Sequence, residues 1–546
     1  MLHETVLCLL VVGIFSLFRT RENYDFWLSF FLTAFVTLVF AFFLMDWHVL
    51  GSDAFKTFIL DRSQSENIKL DIISSKQNYI LIFPFFINTL LALFNNLIFK
   101  YEKHRKNMLS LFVFNLISFI MLICANNFIQ LMTFVFIIDI FSQLLIFNSS
   151  ASKRYSIYNL VADMGLFLVL AMLHGKLINL DVGNISHYYE TGHHRDFIMF
   201  VIMISLSIKF GLFLFQGYWL DLKSAKFHTL YFLPYLSTPM AALILFIKFY
   251  PLLVVSPSFS PLLNIIVILS MIWGSVCAVL NPQIKEKFVY CNMLSIAFLI
   301  KLVEKADFMW NMAFSNILIC LFVFNLCLYY LHYEMDREHG KNKTAIFTVL
   351  CAFMIDLSCL SATLSSLLTK QNMFWIIFFA VLFLFVLASL FVFVSPKLQD
   401  KTASLDSSFR TISVMGLATL SLVYFSYPFF AYYWQTCFVL AVFVLLSRLH
   451  PMKFIKLSDS FYAHLQHIDL ITLLYNKCIT EPLKHAGVLF NILIDFIFLE
   501  RTLYPIVSSF NGFVIKSYRH AARLGFLYYL FGTLLGVLLF ICFFYG

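Results

Sequence analysis

The side chains in this sequence that could do chemistry are a few charged residues inside otherwise apolar segments: Asp139, Asp163, Lys209, Asp356 and Lys370. A charged group at the centre of a membrane helix costs roughly 2.5 to 3.5 kcal/mol, so it normally faces a protein interior or a water path. These residues therefore predict a route for protons or ions through a membrane, or the remains of one.

A lysine close to a carboxylate suits this chemistry. Burial disfavours the charged form of lysine, and a neighbouring carboxylate favours it again. When such pairs alternate along a row of groups, protons hop between them while water fills the gaps. Pro234 and Pro239 predict helix breaks at the start of a neighbouring segment, and broken helices are tolerated at membrane depth where they line a hydrated cavity.

The composition excludes a soluble protein. Of the 546 residues, 61% are hydrophobic and 12% are charged, whereas soluble domains contain about 25% charged residues. The net charge of +9 comes from short loops such as residues 100–106. Basic loops beside membrane spans normally set topology, so we expect lipids and no nucleic acid as partners.

No residue pattern predicts a metal or cofactor site in this chain. The 11 cysteines are scattered, without a CxxC motif or spacing that suits zinc or an iron–sulfur cluster. His193 and His194 are best explained as exposed loop residues. No nucleophile–base set or phosphate-binding loop is found. The 68 phenylalanines indicate a T-rich genome, which is typical of many organelles.

The elements that position the charged residues are membrane helices, each of which needs about 20 apolar residues. Hydropathy predicts an all-α polytopic membrane protein, with about sixteen spans near residues 4–18, 26–45, 78–99, 107–125, 127–148, 157–175, 197–219, 229–254, 262–281, 286–303, 308–332, 345–368, 373–395, 409–427, 429–448 and 525–545. The inserts 47–77 and 176–196 are predicted to be loops.

The segment 449–524 differs from the spans around it. Its apolar residues recur at the spacing of an amphipathic helix, with charged residues between them. Such a helix lies along the membrane interface and contacts neighbouring subunits. We therefore predict four parts: two spans and a loop (1–77), a helical bundle (78–448), a connector with a lateral helix (449–524) and an anchoring span (525–546).

Several short motifs resemble one membrane family in order and spacing. They are Ala125-Asn126-Asn127 with Gln130-Leu131 and Leu144-Leu145-Ile146, Tyr158-Asn159 with Asp163 and Gly165, Lys209-Phe210-Gly211-Leu212, Trp219-Leu220, Ile247-Lys248-Phe249-Tyr250-Pro251-Leu252-Leu253, Ile284-Lys285 with Tyr290, His332 with Asp336, Thr369-Lys370, Leu474-Tyr475-Asn476-Lys477 and Pro482-Leu483-Lys484. Together they resemble subunit 5 of respiratory complex I, over about residues 80–545.

The resemblance implies an antiporter-like subunit with a proton channel built on two broken helices and a row of buried ionisable groups. The positions that match this row, or lie close to it, are Lys209, Asp163, Asp139, Lys285, His332 and Lys370. Asp139 lies three residues after Phe136, on roughly the same helical face, and we expect it to substitute for the glutamate that the family has at position 136.

The sequence also departs from the family at channel positions. Phe136 replaces that glutamate, Leu160 replaces an arginine, and Pro234 lies at or near a histidine. Asn316 and Cys320 stand where the family has a histidine and a lysine. These losses keep open a structural subunit that no longer conducts protons.

Each candidate residue also has a structural explanation. Lys209 and Asp163 would hold two spans together, Asp139 would face a water pocket, and Lys370 and His332 would lie at the membrane surface. Lys285 would be a positive topology signal. Asp356 has no counterpart in the family and suits packing or a partner contact equally well.

The resemblance implies a core membrane-arm subunit of NADH:ubiquinone oxidoreductase, in the mitochondrial inner membrane. It would hold no redox centre, because FMN and the iron–sulfur clusters are expected in other subunits. Its expected neighbours are the subunit 4-type and subunit 2-type antiporter-like subunits. The alternatives are the structural subunit described above and a cation/proton antiporter subunit.

Overall fold

The computed structural model describes residues 2–17, 33–41 and 43, 55–60, 70–74, 76–98, 108–146, 151–174, 195–221, 234–254, 256, 258–280, 284–303, and 314–326 with gaps. All of them lie within one compact unit, Met1–Asp469. The predicted spans from residue 345 onward and the predicted lateral helix lie outside the described residues.

Ten helices and two strands make up most of the described part. The helices are α1 (Leu2–Leu17), α2 (Lys76–Ile98), α3 (Met108–Cys124), α4 (Phe128–Ile146), α5 (Ala151–His174), α6 (Arg195–Phe210), α7 (Gly217–Asp221), α8 (Thr238–Val254), α9 (Phe259–Leu280) and α10 (Ile284–Val303). Residues 33–41 are also helical.

Three of the helices in this part are long and apolar enough to cross a membrane. They cover Phe128–Ile146, Arg154–Leu173 and Phe259–Ala278, with mean hydropathies of 2.0, 1.8 and 2.0. Shorter apolar helices surround them. The multi-pass helical architecture expected from hydropathy is therefore present, while the total of sixteen spans stays a prediction.

The chain turns between α3 and α4 through a capping box. Asn127 Oδ1 accepts a hydrogen bond from the backbone N–H of Ile129 at 2.9 Å. Gln130 Oε1 reaches back to the backbone N–H groups of Asn126 and Asn127, both at 3.3 Å. This arrangement satisfies N–H groups that have no partner inside the helix. It therefore fixes the first residue of α4 and the orientation of the helix.

Helix α8 lies at the centre of the described bundle and packs against α3, α4, α6, α9 and α10. Thirteen of its seventeen residues are buried, from Thr238 to Leu253. By contrast, α9 exposes an apolar stripe at spacings of four, three and four: Ile265, Leu269, Ile272 and Val276. Polar groups therefore gather inside this part of the bundle while apolar side chains cover its outside.

Three predictions from hydropathy are wrong in detail. The insert 47–77 is not entirely a loop, because β1 (Phe55–Leu60) pairs antiparallel with β2 (Leu70–Ser74), so the chain is not strictly all-α. The span predicted at 197–219 is broken, since α6 ends at Phe210 and α7 starts at Gly217. The span predicted from residue 229 begins as a helix at Thr238.

Candidate functional site

Lys209 is the centre of a buried cluster of charged groups. Its Nζ lies 2.5 Å from Asp139 Oδ2 and 2.7 Å from Asp163 Oδ1, and its side chain is 0% exposed. The contact with Asp139 is an aligned hydrogen bond. The contact with Asp163 has the distance of an ion pair without hydrogen-bond alignment. One ammonium group is thus shared between two carboxylates, which we call the charge cluster.

Lys209 is placed by the end of α6, which closes in a Schellman motif. The backbone N–H of Leu212 donates to Ser207 O at 3.2 Å, and that of Gly211 donates to Ile208 O at 3.0 Å. This motif requires a left-handed residue after the helix, and Gly211 has φ 63°. Glycine reaches this conformation without a steric penalty, so Gly211 allows the helix to stop directly beyond Lys209.

The remaining carbonyls at this helix end are satisfied by aromatic side chains. The hydroxyl of Tyr218 donates to Lys209 O at 2.9 Å, and Trp219 Nε1 donates to Phe210 O at 3.2 Å. A Cβ atom at Gly211 would collide with the indole of Trp219. The carbonyl groups at the break between α6 and α7 therefore have hydrogen-bond partners, as backbone groups inside a membrane need.

Asp163 reaches Lys209 because α5 and α6 approach closely. Gly165 lies two residues after Asp163, and a Cβ at this position would collide with the side chain of Ser205, one helical turn before Lys209. Because glycine has no side chain, the backbone of α5 packs directly against the Ser205 side chain of α6. The Gly165 position thus brings the carboxylate of α5 within reach of the ammonium group of α6.

Asp139 is held on its other side by Thr238, the first residue of α8. Thr238 Oγ1 donates a hydrogen bond to Asp139 Oδ1 at 2.7 Å. The turn before α8 is fixed in turn by Asn115 of α3, whose side-chain amide donates to Leu236 O. The two oxygens of Asp139 therefore have separate partners, one an ammonium group and the other a hydroxyl.

The ends of two helices match the charges of the cluster. The C-terminal end of a helix carries a partial negative charge and the N-terminal end a partial positive charge. Lys209 lies in the last turn of α6, and Asp139 contacts the first residue of α8. Both helix ends therefore stabilise the charge next to them in a region from which water is largely excluded.

The structure shows the surroundings of Phe136 and Leu160, two positions at which the sequence departs from the family pattern. The ring of Phe136 packs against Phe167 of α5, with centroids 6.2 Å apart, so this position takes part in apolar packing. Leu160 is 51% exposed on the outside of α5. Pro234 lies in the turn before α8, and Pro239 is the second residue of that helix; the residues before Pro234 lie outside the described part of the chain.

Within the described part of the structure, none of the other candidate side chains is observed at the charge cluster. Lys285 is the second residue of α10, and its side-chain position is not among the described features. His332, Lys370, Asp356, Asn316 and Cys320 lie outside the described residues. Their roles stay predictions.

Sequence reasoning missed Thr238 and Tyr155, which are both part of the polar interior. Tyr155, Asn159 and Asp163 recur every four residues and are all buried, so their spacing along one helix face was a usable signal. Thr238 had no comparable pattern, because it lies between two segments of different conformation.

The cluster can hold an exchangeable proton. Two carboxylates and one ammonium group carry a net charge of −1 when all three are ionised, and one more proton makes the group neutral. Uncompensated charge is costly in a low-dielectric interior. Two carboxylates that share one site do not ionise independently, so this arrangement has the chemistry of a proton-binding site.

The part of the chain that holds this cluster is similar to a known protein family. Residues 114–364 match the family described as "NADH:quinone oxidoreductase/Mrp antiporter, TM". All members of the charge cluster, together with Thr238 and Tyr155, lie within these matched residues. No curated protein matches the sequence significantly.

Solved structures are similar to this chain in fold at low sequence identity. A chain of the Mrp complex from Dietzia sp. DQ12-45-1b aligns with a TM-score of 0.63 and 11% identity, over 94% of this chain and 62% of that chain. The chain thus spans less than two thirds of that relative's length. A chain of the membrane-bound sulfane sulfur reductase, an archaeal respiratory membrane complex, aligns with a TM-score of 0.59 and 14% identity, over 76% of this chain and 74% of that chain.

Proposed function

We propose that this chain is an antiporter-like subunit of a proton-translocating NADH:ubiquinone oxidoreductase, of the subunit 5 type, in the mitochondrial inner membrane. The observation that carries the proposal is the shared ammonium group of Lys209, fully buried between Asp139 and Asp163 at the end of a broken helix. A motif match alone would also suit a bracing subunit, but a bracing contact needs one carboxylate and not two.

In this proposal, Asp139 takes the role of the glutamate that the family has at position 136. Lys209 and Asp139 form an ion pair, and Asp163 provides a second site to which the ammonium group can move. When Lys209 moves toward Asp163, Asp139 loses its counter-charge and takes up a proton. When Lys209 returns, the proton is released. Lys285, His332 and Lys370 are proposed to continue the proton row.

The wider assembly follows from the same proposal. The bundle (78–448) would translocate protons, the lateral helix (449–524) would contact subunit 4-type and subunit 2-type neighbours, and the last span (525–546) would anchor it. NADH oxidation and quinone reduction would take place in other subunits that hold FMN and iron–sulfur clusters. The two solved structures with a similar fold are chains of membrane complexes, which supports membership of a larger membrane complex.

A second candidate is a cation/proton antiporter subunit, because the family description covers Mrp antiporters as well. An antiporter would use the same cluster without quinone chemistry. The two candidates differ in what drives transport, so one experiment separates them.

The test is purification of the native complex through an affinity tag on the full chain, followed by reconstitution into liposomes with an internal pH dye. We expect NADH:ubiquinone reductase activity to co-purify and to drive proton movement. Lys209→Met should lower the number of protons moved per electron. Proton movement driven by a sodium gradient, without NADH oxidation, would support the antiporter. An unchanged proton yield in Lys209→Met would show a bracing subunit.

A further inference from the structure

A chain of buried hydroxyl groups leads away from the charge cluster. Tyr155 of α5 hydrogen-bonds Thr238 Oγ1, and Thr238 hydrogen-bonds Asp139. All three side chains are buried. We propose that Tyr155 and Thr238 form a proton relay that loads and unloads Asp139. This inference rests on the proposed proton transport and deepens it by naming a route for the proton.

The direction of the hydrogen bonds follows from the number of protons available. A hydroxyl group has one proton. While Asp139 is ionised it accepts from Thr238, so Thr238 has no proton left for Tyr155 and must accept from it. The order of donation is therefore Tyr155 to Thr238 to Asp139.

Reversal of this order moves one proton. The hydroxyl proton of Thr238 passes to Asp139 Oδ1, the hydroxyl proton of Tyr155 passes to Thr238 Oγ1, and a proton from outside the chain binds to the Tyr155 oxygen. Each hydroxyl ends with one proton and Asp139 ends neutral. The reverse sequence returns the proton, so neither hydroxyl needs to be charged before or after the transfer.

The far end of the relay is also polar. The polar side chains of Ser142 and Asn159 lie next to the Tyr155 hydroxyl, and the Ser142 hydroxyl donates to Ile138 O at 2.7 Å. Ser142 lies close to the C-terminal end of α4, and Tyr155 lies in the second turn of α5. The relay therefore runs from the charge cluster toward the C-terminal end of α4 and the N-terminal end of α5.

The relay explains how transport survives the departures from the family pattern. Phe136 packs against an apolar ring and Leu160 faces outward, so neither position offers a polar group to the cluster. Thr238 and Tyr155 instead connect Asp139 with one end of the bundle. The second oxygen of Asp139 stays available for Lys209, so proton loading and ion pairing occur on different oxygens.

The experiment measures NADH-driven proton movement by the complete reconstituted complex, with Lys209→Met as the reference and four further variants of this chain. Thr238→Val and Tyr155→Phe each remove one hydroxyl with little change in shape, and Thr238→Ser retains the hydroxyl. Thr133→Val is the matched control, because the Thr133 hydroxyl donates to Ile129 O within the same helix at 2.9 Å and contacts no member of the relay. The amount of each variant in the assembled complex is measured in parallel.

We expect Thr238→Val and Tyr155→Phe to lose proton movement to the level of Lys209→Met, with assembly and electron transfer retained. Thr238→Ser and Thr133→Val should behave as the unmodified chain. Normal proton movement in both Thr238→Val and Tyr155→Phe would overturn the relay. An equal loss in Thr238→Ser and Thr238→Val would also overturn it, since the shape of the side chain would then matter and not its hydroxyl.

The same series separates failure of the relay from failure of the proposed function. If Lys209→Met loses proton movement while Thr238→Val and Tyr155→Phe keep it, the relay is wrong and the charge cluster still transports protons by another route. If Lys209→Met keeps proton movement, the proposed function itself is wrong. Should Thr238→Val fail to assemble, Tyr155→Phe decides, because it removes a single oxygen atom from a ring that otherwise packs unchanged.

Discussion

At the scale of single residues, the charge cluster buries three charged groups, which costs free energy, and gives each of these groups a specific polar partner. Lys209 has two carboxylates, Asp139 has an ammonium group and a hydroxyl, and Asp163 has an ion pair without an aligned hydrogen bond. The contact with Asp139 is an aligned hydrogen bond and the contact with Asp163 is not. We therefore expect the ammonium group to favour Asp139 and to move to Asp163 at a low energetic cost. A purely structural ion pair has no need for this second position.

The energetic consequence is a prediction about charge removal. Lys209→Met should destabilise the chain by about 3 to 5 kcal/mol, because it leaves two carboxylates buried without a counter-charge. The triple variant Asp139→Asn, Asp163→Asn, Lys209→Met has no charge left in the cluster and should recover most of that loss. The measurement is the thermal unfolding of the purified complex in detergent.

Proton movement in the triple variant distinguishes a transport role of the cluster from a purely structural role. We expect it to stay as low as in Lys209→Met although stability returns, because an amide carries no exchangeable acidic proton. Lys301→Met is the control, since Lys301 hydrogen-bonds the neutral side chain of Asn264 and its loss leaves no carboxylate of the cluster unpaired. Recovery of both stability and transport in the triple variant would mean that the cluster has a structural role alone.

At the scale of elements, the end of α6 is the feature on which the position of Lys209 depends. Gly211→Ala should shorten or displace the last turn of α6, because alanine costs about 1 to 2 kcal/mol in a left-handed conformation and its Cβ would also meet the Trp219 indole. We expect lower thermal stability and reduced proton movement together, measured on the same reconstituted complex.

Gly13→Ala is the matched substitution for this prediction. Gly13 lies inside α1, and an added Cβ there would meet the ring of Phe114, a flexible side chain, at 3.0 Å. The cost should be small, since alanine favours a helix over glycine by about 1 kcal/mol. Equal effects of the two substitutions would argue that the Gly211 turn does not control the site.

The same element shows how far the sequence could predict this structure. Hydropathy identified most of the helices in the described part, since a run of apolar residues is the signal for a span. It missed the break after Phe210, because Leu212, Phe213, Leu214 and Phe215 are as apolar as the helix before them. The break depends on the conformation of Gly211 and on side chains of α7, and these are tertiary features that a hydropathy average does not contain.

The charge cluster was predictable in part for a similar reason. Asp139 and Asp163 stood out as carboxylates in apolar helices, and the three-residue spacing from Phe136 placed Asp139 on a suitable face. The contact of Asp139 with Lys209 depends on where α6 ends, and the contact of Asp163 with Lys209 depends on the close approach at Gly165. Thr238 was missed because hydropathy alone extended the span nine residues further back, although Ser237-Thr238 followed by Pro239 is a helix-start signal.

At the scale of the whole molecule, the described bundle combines buried charged groups with apolar residues on part of its outside. Its mostly apolar interior holds the charge cluster, while α9 presents the apolar stripe Ile265, Leu269, Ile272 and Val276 to the outside. In a membrane, an apolar exterior leaves little apolar driving force between helices, so polar contacts and close packing have to hold the bundle together. In the proposed function, the cluster therefore serves both transport and the contacts between helices.

The last prediction tests whether the α9 stripe contacts lipid. Leu269→Arg should reduce the amount of chain stably inserted in the membrane, because an arginine at the centre of a membrane helix costs roughly 2.5 to 3.5 kcal/mol. Leu269→Phe keeps the site apolar and should insert normally. Insertion is measured as the fraction of full-length chain that resists carbonate extraction from membranes. Normal insertion of Leu269→Arg would show that this face meets water or a polar partner, since lipid would reject the charge that such surroundings accept.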